Sequence, residues 1–159
     1  MLDLAIECKH LEVFTHMSTC YVNCDKSGFI KEEIYPIEQD SEQVIEDLMR
    51  MPPDQQDKDL AKILGNYPNT YTFTKSMAER TLKKRKPSNL PCVILRPAIV
   101  GAAFRDPFPG WTDTLSAAGA LGLAGGLGII TYVNTLPSHI LDLIPVDLVV
   151  HATIVSTAF

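Results

Sequence analysis

After Pro68 the chain runs from Thr70 to Lys86 without a glycine or a proline, and no other stretch constrains the fold as much. Nothing in it breaks a helix. That helix aligns Tyr71, Lys75, Ala78 and Leu82 on one face, at i, i+4, i+7 and i+11. The apolar run Leu90 to Leu95 reads as the next strand. It stops at Arg96-Pro97, because a proline cannot donate to a central ladder. Upstream, Val13, Phe14 and Met17 mark a short buried strand within Leu11 to Met17, with Ser18-Thr19 at its carboxyl end. Sheets of the α/β type place their chemistry at that end. Strand, helix, strand and helix in this order predict an α/β fold with a parallel sheet.

The remaining segments fit this frame. Asn23 to Asn69 is polar and acidic, with Ser41 the expected N-cap of a helix striped by Val44, Ile45, Leu48 and Met49. Pro52-Pro53 ends that helix, and a further one through Leu60, Ile63 and Leu64 closes at Gly65. Ile144-Pro145-Val146-Asp147 leads into an apolar helical tail ending at Phe159. A length of 159 residues with 46% hydrophobic and 21% charged content predicts one domain, residues 1–159.

Composition also excludes several functions. The net charge is −5, and the one basic run, Lys83 to Lys86, belongs at a helix end, so nucleic acid is not an expected partner. Cys8, Cys20, Cys24 and Cys92 form neither a C-x-x-C pair nor a cluster with histidines, which predicts reduced structural thiols in an intracellular protein and no metal site. Asp3, Glu7 and Lys9 interrupt the N-terminus, so it is no signal peptide and reads as the middle of a domain. The uncharged stretch from Thr114 to Ser138 could span a bilayer by length. Gly119, Gly122, Gly125, Gly126 and Gly128 argue against that, each weakening a helix by roughly 1 kcal/mol, and Asn134 with Pro137 interrupts its end. Packing between helices, or a flexible lining for substrate, is the expected use of these glycines.

Tyr71-x-x-x-Lys75 is the strongest chemical pattern. Residues four apart on a helix lie roughly 6 Å apart at Cβ and can act on one ligand. A phenol ordinarily ionises near pH 10, and a neighbouring ammonium favours the phenolate, giving a proton donor or acceptor usable at neutral pH. By itself the pair is common on surface helices. Placed between the Ser18-Thr19 strand end and a strand ending in Arg96-Pro97, it resembles the extended short-chain dehydrogenases. More narrowly, six segments resemble fatty acyl-CoA reductases with an NAD-binding domain of the male sterility type. They are His16-Met-Ser-Thr-Cys-Tyr-Val-Asn23, Glu32-Glu-Ile-Tyr-Pro36, Pro68-Asn-Thr-Tyr-Thr-Phe-Thr-Lys-Ser-Met-Ala-Glu79, Arg96-Pro-Ala-Ile-Val100, Pro107-Phe-Pro-Gly-Trp111 and Asp142-Leu-Ile-Pro-Val-Asp147.

The resemblance implies part of a Rossmann-type doubly wound parallel sheet and a full-length parent that reduces long-chain fatty acyl-CoA to fatty alcohol, by way of the aldehyde, with NADPH. Tyr71 would protonate the carbonyl oxygen, Lys75 would support it and hold the nicotinamide ribose, and Thr19 would hydrogen-bond the same oxygen, with Ser18 the adjacent candidate. Ser18, Tyr71, Lys75, Pro97, Ala98, Ile99 and Val100 would border the cofactor, and Gly110 and Trp111 the acyl substrate. For Trp111 an ordinary half-buried aromatic is an equal reading, and for His16 a satisfied buried imidazole outweighs substrate contact. The resemblance also implies association of the parent with a membrane surface, peroxisomal or of the endoplasmic reticulum.

No glycine-rich turn for the pyrophosphate precedes Leu11, and Gly126-x-Gly128 follows the catalytic helix and has Thr131 where the fingerprint needs a glycine. The chain is therefore expected to be an internal fragment, inactive and unable to bind NADPH alone. The alternatives are another extended short-chain dehydrogenase acting on a thioester, sugar or sterol, and a non-catalytic truncated fragment.

Overall fold

The computed structural model describes residues 1–36, 40–115, 117–136 and 138–158. Pro137 and Phe159, which the sequence reading used as a breaker and as the end of the apolar tail, lie outside them. The chain divides into two compact units, Met1–Arg96 and Pro97–Phe159. Each holds one pair of parallel strands.

In the first unit a short helix α1 (Leu2–Glu7), which the sequence reading did not anticipate, precedes strand β1 (Phe14–Met17). The strand is shorter than the run Leu11 to Met17 but ends where expected. A 3-10 turn (Cys20–Asn23) follows, capped by the Thr19 side chain. Three helices come next: α2 (Ser41–Arg50), α3 (Pro53–Lys58) and α4 (Leu60–Leu64). The N-cap of α2 is Asp40 and not Ser41, since the Asp40 carboxylate accepts from the amides of Glu42 and Gln43 at 2.9 and 3.3 Å. Ser41 is buried instead, and its Oγ accepts from Thr81 Oγ1 at 3.2 Å. Of the expected stripe on α2, Val44 and Leu48 are half-buried whereas Ile45 and Met49 are exposed. Gly65 ends α4 at φ 58°, a conformation that glycine adopts without strain.

The long helix α5 (Thr70–Arg85) begins at Asn69, whose side chain accepts from the Thr72 amide at 2.9 Å. It buries Thr72, Phe73, Ser76, Met77, Glu79 and Leu82. Of the face aligned from the sequence, only Leu82 is fully buried, because Tyr71 and Lys75 are turned aside from the core. The ring of Tyr67 meets that of Phe73 edge-on, centroids 5.7 Å apart. At the other end of α5, Lys84 pairs with Asp40 at 2.6 Å and Glu42 at 2.7 Å. This is the basic run at a helix end, and its exposed pairs orient α2 on α5 more than they stabilise it. Strand β2 (Cys92–Leu95) pairs with β1 in the register Phe14↔Cys92 to Met17↔Leu95.

The second unit pairs β3 (Ile99–Gly101) with β4 (Leu143–Pro145), and α6 (Ala117–Gly126) lies between them in sequence. Helix α7 (Val146–Ala158) starts directly after Pro145. A Cβ at Gly119, Gly122, Gly125 or Gly126 would meet nothing within 4 Å, so close helix packing within this chain does not explain these residues. Among the described residues no helix is long and apolar enough to cross a membrane. Unit 2 nevertheless exposes Leu121, Leu123, Leu127, Ile129, Tyr132 and Leu141.

Candidate active site

The carboxyl end of β1 is where the polar groups gather. The Ser18 amide donates to the Leu95 carbonyl at 2.7 Å, carrying the ladder one step beyond the strand, and the backbone then turns into the 3-10 segment. Both hydroxyl residues are buried there, Ser18 at 3% and Thr19 at 4% exposure. Thr19 Oγ1 accepts from the Tyr21 amide at 3.4 Å and so already serves the turn. Ser18 Oγ, in contrast, is buried without a hydrogen-bonding partner among the described residues.

Helix α5 packs against this turn and delivers Lys75 to it. The Lys75 ammonium donates to the Met17 main-chain carbonyl at 2.9 Å, placing a cation beside Ser18 and Thr19. Tyr71 stands one helical turn earlier and is 53% exposed, open to a ligand. An ammonium has three donors and the carbonyl uses one. The others remain for a partner at the strand end. A hydroxyl, an ammonium and an exposed phenol around one strand terminus can bind a polar oxygen and exchange a proton with it.

Sequence reasoning assigned no role to what lies beneath this site. Arg96, at the end of β2, donates to Glu79 through Nε at 2.9 Å and through Nη2 at 2.5 Å. Glu79 is only 1% exposed, and the paired carboxylate holds the Arg96 guanidinium above its ordinary pKa. Nη2 also donates to the Glu33 carbonyl at 3.0 Å. A carboxylate two turns beyond Tyr71, on a helix followed by Arg-Pro, was the available signal. Glu32, Glu33, Ile34, Ile94, Leu95 and Arg96 line a cavity of about 490 Å³ at this end of the sheet, within the usual size range of ligand pockets.

His16 departs from the expectation of a satisfied imidazole. Its Nε2 is buried without a hydrogen-bonding partner among the described residues, and its pKa is lowered, first by burial and then by the Lys75 charge, with Glu79 opposing. The thiols match their bland reading only in part. None of the four is in a disulfide and burial pushes the Cys92 thiol up, yet Cys8 and Cys20 are exposed. Among the described residues no group of histidines, cysteines and carboxylates could hold a metal.

Pro97, Ala98, Ile99 and Val100 open the second unit and enter β3. Gly110 and Trp111 lie in that unit as well. Gly110 has φ 85°, a conformation that favours glycine, and donates to the Ala103 carbonyl at 2.8 Å. The Ala103 amide in turn donates to the Trp111 carbonyl at 2.9 Å, so the Pro107 to Trp111 block is a closed turn. Its base is held by Asp147, which is 6% exposed. The Asp147 carboxylate accepts from the amides of Phe104, Arg105 and Asp106 at 2.9, 2.8 and 3.2 Å. These amide bonds hold its pKa at about 2, the Phe104 bond contributing most.

With this geometry in view, residues 1–153 match the model of a family described as male sterility protein. The chain is 41% identical to fatty acyl-CoA reductase 1 of Xenopus laevis over 154 residues, which is 97% of this chain and 30% of that protein. Over the same shares it is 37% identical to fatty acyl-CoA reductase 1 of Homo sapiens and to fatty acyl-CoA reductase 2 of Mus musculus. The chain thus spans 30% of the length of these relatives.

Proposed function

From the premise that this chain belongs to the male sterility protein family of NAD-binding domains, we propose that it carries the proton-transfer residues of a reductase acting on long-chain fatty acyl-CoA. The observation that carries this reading is the 2.9 Å bond from Lys75 to the Met17 carbonyl, which joins the Tyr71-Lys75 pair to the strand end bearing Ser18 and Thr19. The fatty acyl-CoA reductases of frog, human and mouse supply the substrate class.

The residues present fit the nicotinamide end of a dinucleotide. Ser18 offers a buried hydroxyl with no hydrogen-bonding partner among the described residues, and Lys75 uses one of its three donors on the Met17 carbonyl, leaving others to meet a ribose. Among the described residues no glycine turn between a strand and a helix offers amides to a pyrophosphate. Gly28, Gly65, Gly110 and Gly128, the glycines of positive φ, lie in other settings. We take the cofactor to be NADPH, whose nicotinamide supplies the hydride. Tyr71 donates its proton to the carbonyl oxygen as charge develops there, and Thr19 and Ser18 hydrogen-bond that oxygen. Lys75 stabilises the charge left on the phenol oxygen and orients the ribose. Reduction of the thioester and then of the aldehyde each leaves an oxyanion needing a proton, so the same residues serve both steps. By the same reading the parent works at a membrane surface inside the cell, peroxisomal or of the endoplasmic reticulum.

The test is turnover of palmitoyl-CoA by the full-length parent protein with NADPH and, in parallel, NADH, followed by nicotinamide absorbance. Tyr71→Phe is expected to lower kcat on the order of a hundredfold or more while leaving the dinucleotide KM nearly unchanged. Lys75→Ala is expected to damage both. Near-normal turnover by Tyr71→Phe, or activity on sugar nucleotides or sterols in place of acyl-CoA, would overturn the reading.

A further inference from the structure

Proton transfer makes no use of the cavity at the end of β2, which Glu32, Glu33, Ile34, Ile94, Leu95 and Arg96 line. Its walls are tied together. Arg96 Nη2 donates to the Glu33 carbonyl at 3.0 Å and so holds the loop to the strand. Tyr35 closes that loop, its hydroxyl accepting from the Lys31 amide at 2.9 Å and its ring lying 5.1 Å from Lys26 Nζ. Of the five guanidinium N–H groups of Arg96, those on Nε and Nη2 are taken by Glu79 and Glu33. The two on Nη1 meet no acceptor among the described residues, and the side chain keeps 17% exposure. Neighbouring strands lie about 4.8 Å apart, and the Ser18 amide bonds to the Leu95 carbonyl, so the cavity opens one strand away from the candidate catalytic hydroxyls.

We propose that this cavity is a subsite for a neutral amide, and that it takes the amide next to the thioester sulfur of an acyl-CoA while the thioester carbonyl lies at Ser18 and Tyr71. The identity of the ligand rests on the reductase reading, whereas the preference for a neutral amide does not. Charge selects against an anion. Glu32 and Glu33 on the wall and Glu79 on the guanidinium set three carboxylates against one cation, which disfavours a phosphate or a carboxylate. A cationic ligand would leave the two Nη1 donors without an acceptor. An amide meets both demands, since its oxygen accepts from Arg96 Nη1 and its N–H donates to Glu32 or Glu33. In a coenzyme A thioester the first amide nitrogen stands two methylenes from the sulfur, a reach comparable to the step from one strand to the next.

Two measurements test this. In the chain itself, D-pantetheine and inorganic phosphate are titrated separately while the Arg96 side-chain N–H signals are followed by nuclear magnetic resonance. Pantetheine is expected to move them saturably and phosphate to leave them in place. If pantetheine leaves them in place, or phosphate moves them, the proposal fails. In the full-length parent, palmitoyl-N-acetylcysteamine, which keeps the amide, is compared with the S-pentyl thioester of palmitic acid, in which methylenes replace it. The amide is expected to raise kcat/KM on the order of tenfold. Glu32→Ala with Glu33→Ala, which spares the bonds between Arg96 and Glu79, is expected to reduce that ratio severalfold. Glu79→Leu with Arg96→Met is expected to do the same, and it removes the guanidinium without leaving a buried charge. A ratio near one in the parent, or an unchanged ratio in both variants, would overturn the proposal. A loss confined to the KM for NADPH, and absent with its 3-acetylpyridine analogue, would overturn it too, because the nicotinamide carboxamide would then occupy the cavity. Should the parent reduce no thioester, the reductase reading fails while the titration still decides whether the cavity takes a neutral amide.

Discussion

Ser18 and Thr19 are adjacent hydroxyl residues with opposite obligations. Thr19 caps the turn through the Tyr21 amide, whereas Ser18 Oγ is buried with no hydrogen-bonding partner among the described residues. Removing a cap costs about 1 kcal/mol, while removing an unsatisfied buried hydroxyl is close to neutral or stabilising. Thr19→Ala is therefore expected to lower the urea midpoint of the chain and kcat of the full-length parent, and Ser18→Ala to lower that kcat alone. A Ser18→Ala protein as unstable as Thr19→Ala would show that Ser18 has a structural partner after all. At this scale the sequence showed the local spacing of polar residues and was silent about their partners. The spacing of Tyr71 and Lys75 and the hydroxyls after β1 could be read from local pattern. Whether Asp40 or Ser41 caps α2 could not, because both are good caps and the choice turned on Thr81, distant in sequence.

Helix α5 is fixed to the sheet by a charged clamp as well as by its apolar face. Glu79 is buried and bonded twice to Arg96, and breaking such a pair by removing one partner costs about 3–5 kcal/mol, since the other charge is left buried. Glu79→Ala should thus unfold at markedly lower urea, and Glu79→Leu combined with Arg96→Met should recover much of the loss. If the single and double substitutions are equally destabilised, the clamp does not operate as a pair. The clamp escaped the sequence because it joins a helix to a strand end across an intervening turn, and no local periodicity records such a contact. The glycines of α6 were legible only as an anomaly. Their places are open, so Gly122→Ala should stabilise the helix by roughly 0.5–1 kcal/mol. Gly128→Ala, at φ 72°, should destabilise. Thermal melting of the two variants in opposite directions would confirm the assignment of their backbone conformations.

Across the whole chain, parallel pairing within each unit was legible from the alternation of strands and helices, whereas composition carries no signal of the compact units Met1–Arg96 and Pro97–Phe159. In the second unit stability depends on pH through Asp147. Its folded pKa of about 2 lies below the ordinary 3.8, so its contribution is complete above 3.8 and is lost as the pH falls through about 2. Urea midpoints measured across that range should fall in the unsubstituted protein and change less steeply in Asp147→Asn.

That carboxylate also sets a rule for time. Three consecutive amides, those of Phe104, Arg105 and Asp106, are satisfied by one side chain at the start of α7, so none of them is released to solvent alone. When the first turn of α7 lifts, all three become exchangeable at once. Deuterium should therefore enter Phe104, Arg105 and Asp106 with a common rate constant, set by the opening of a helix more than forty positions away in sequence, and Asp147→Asn should quicken the three together.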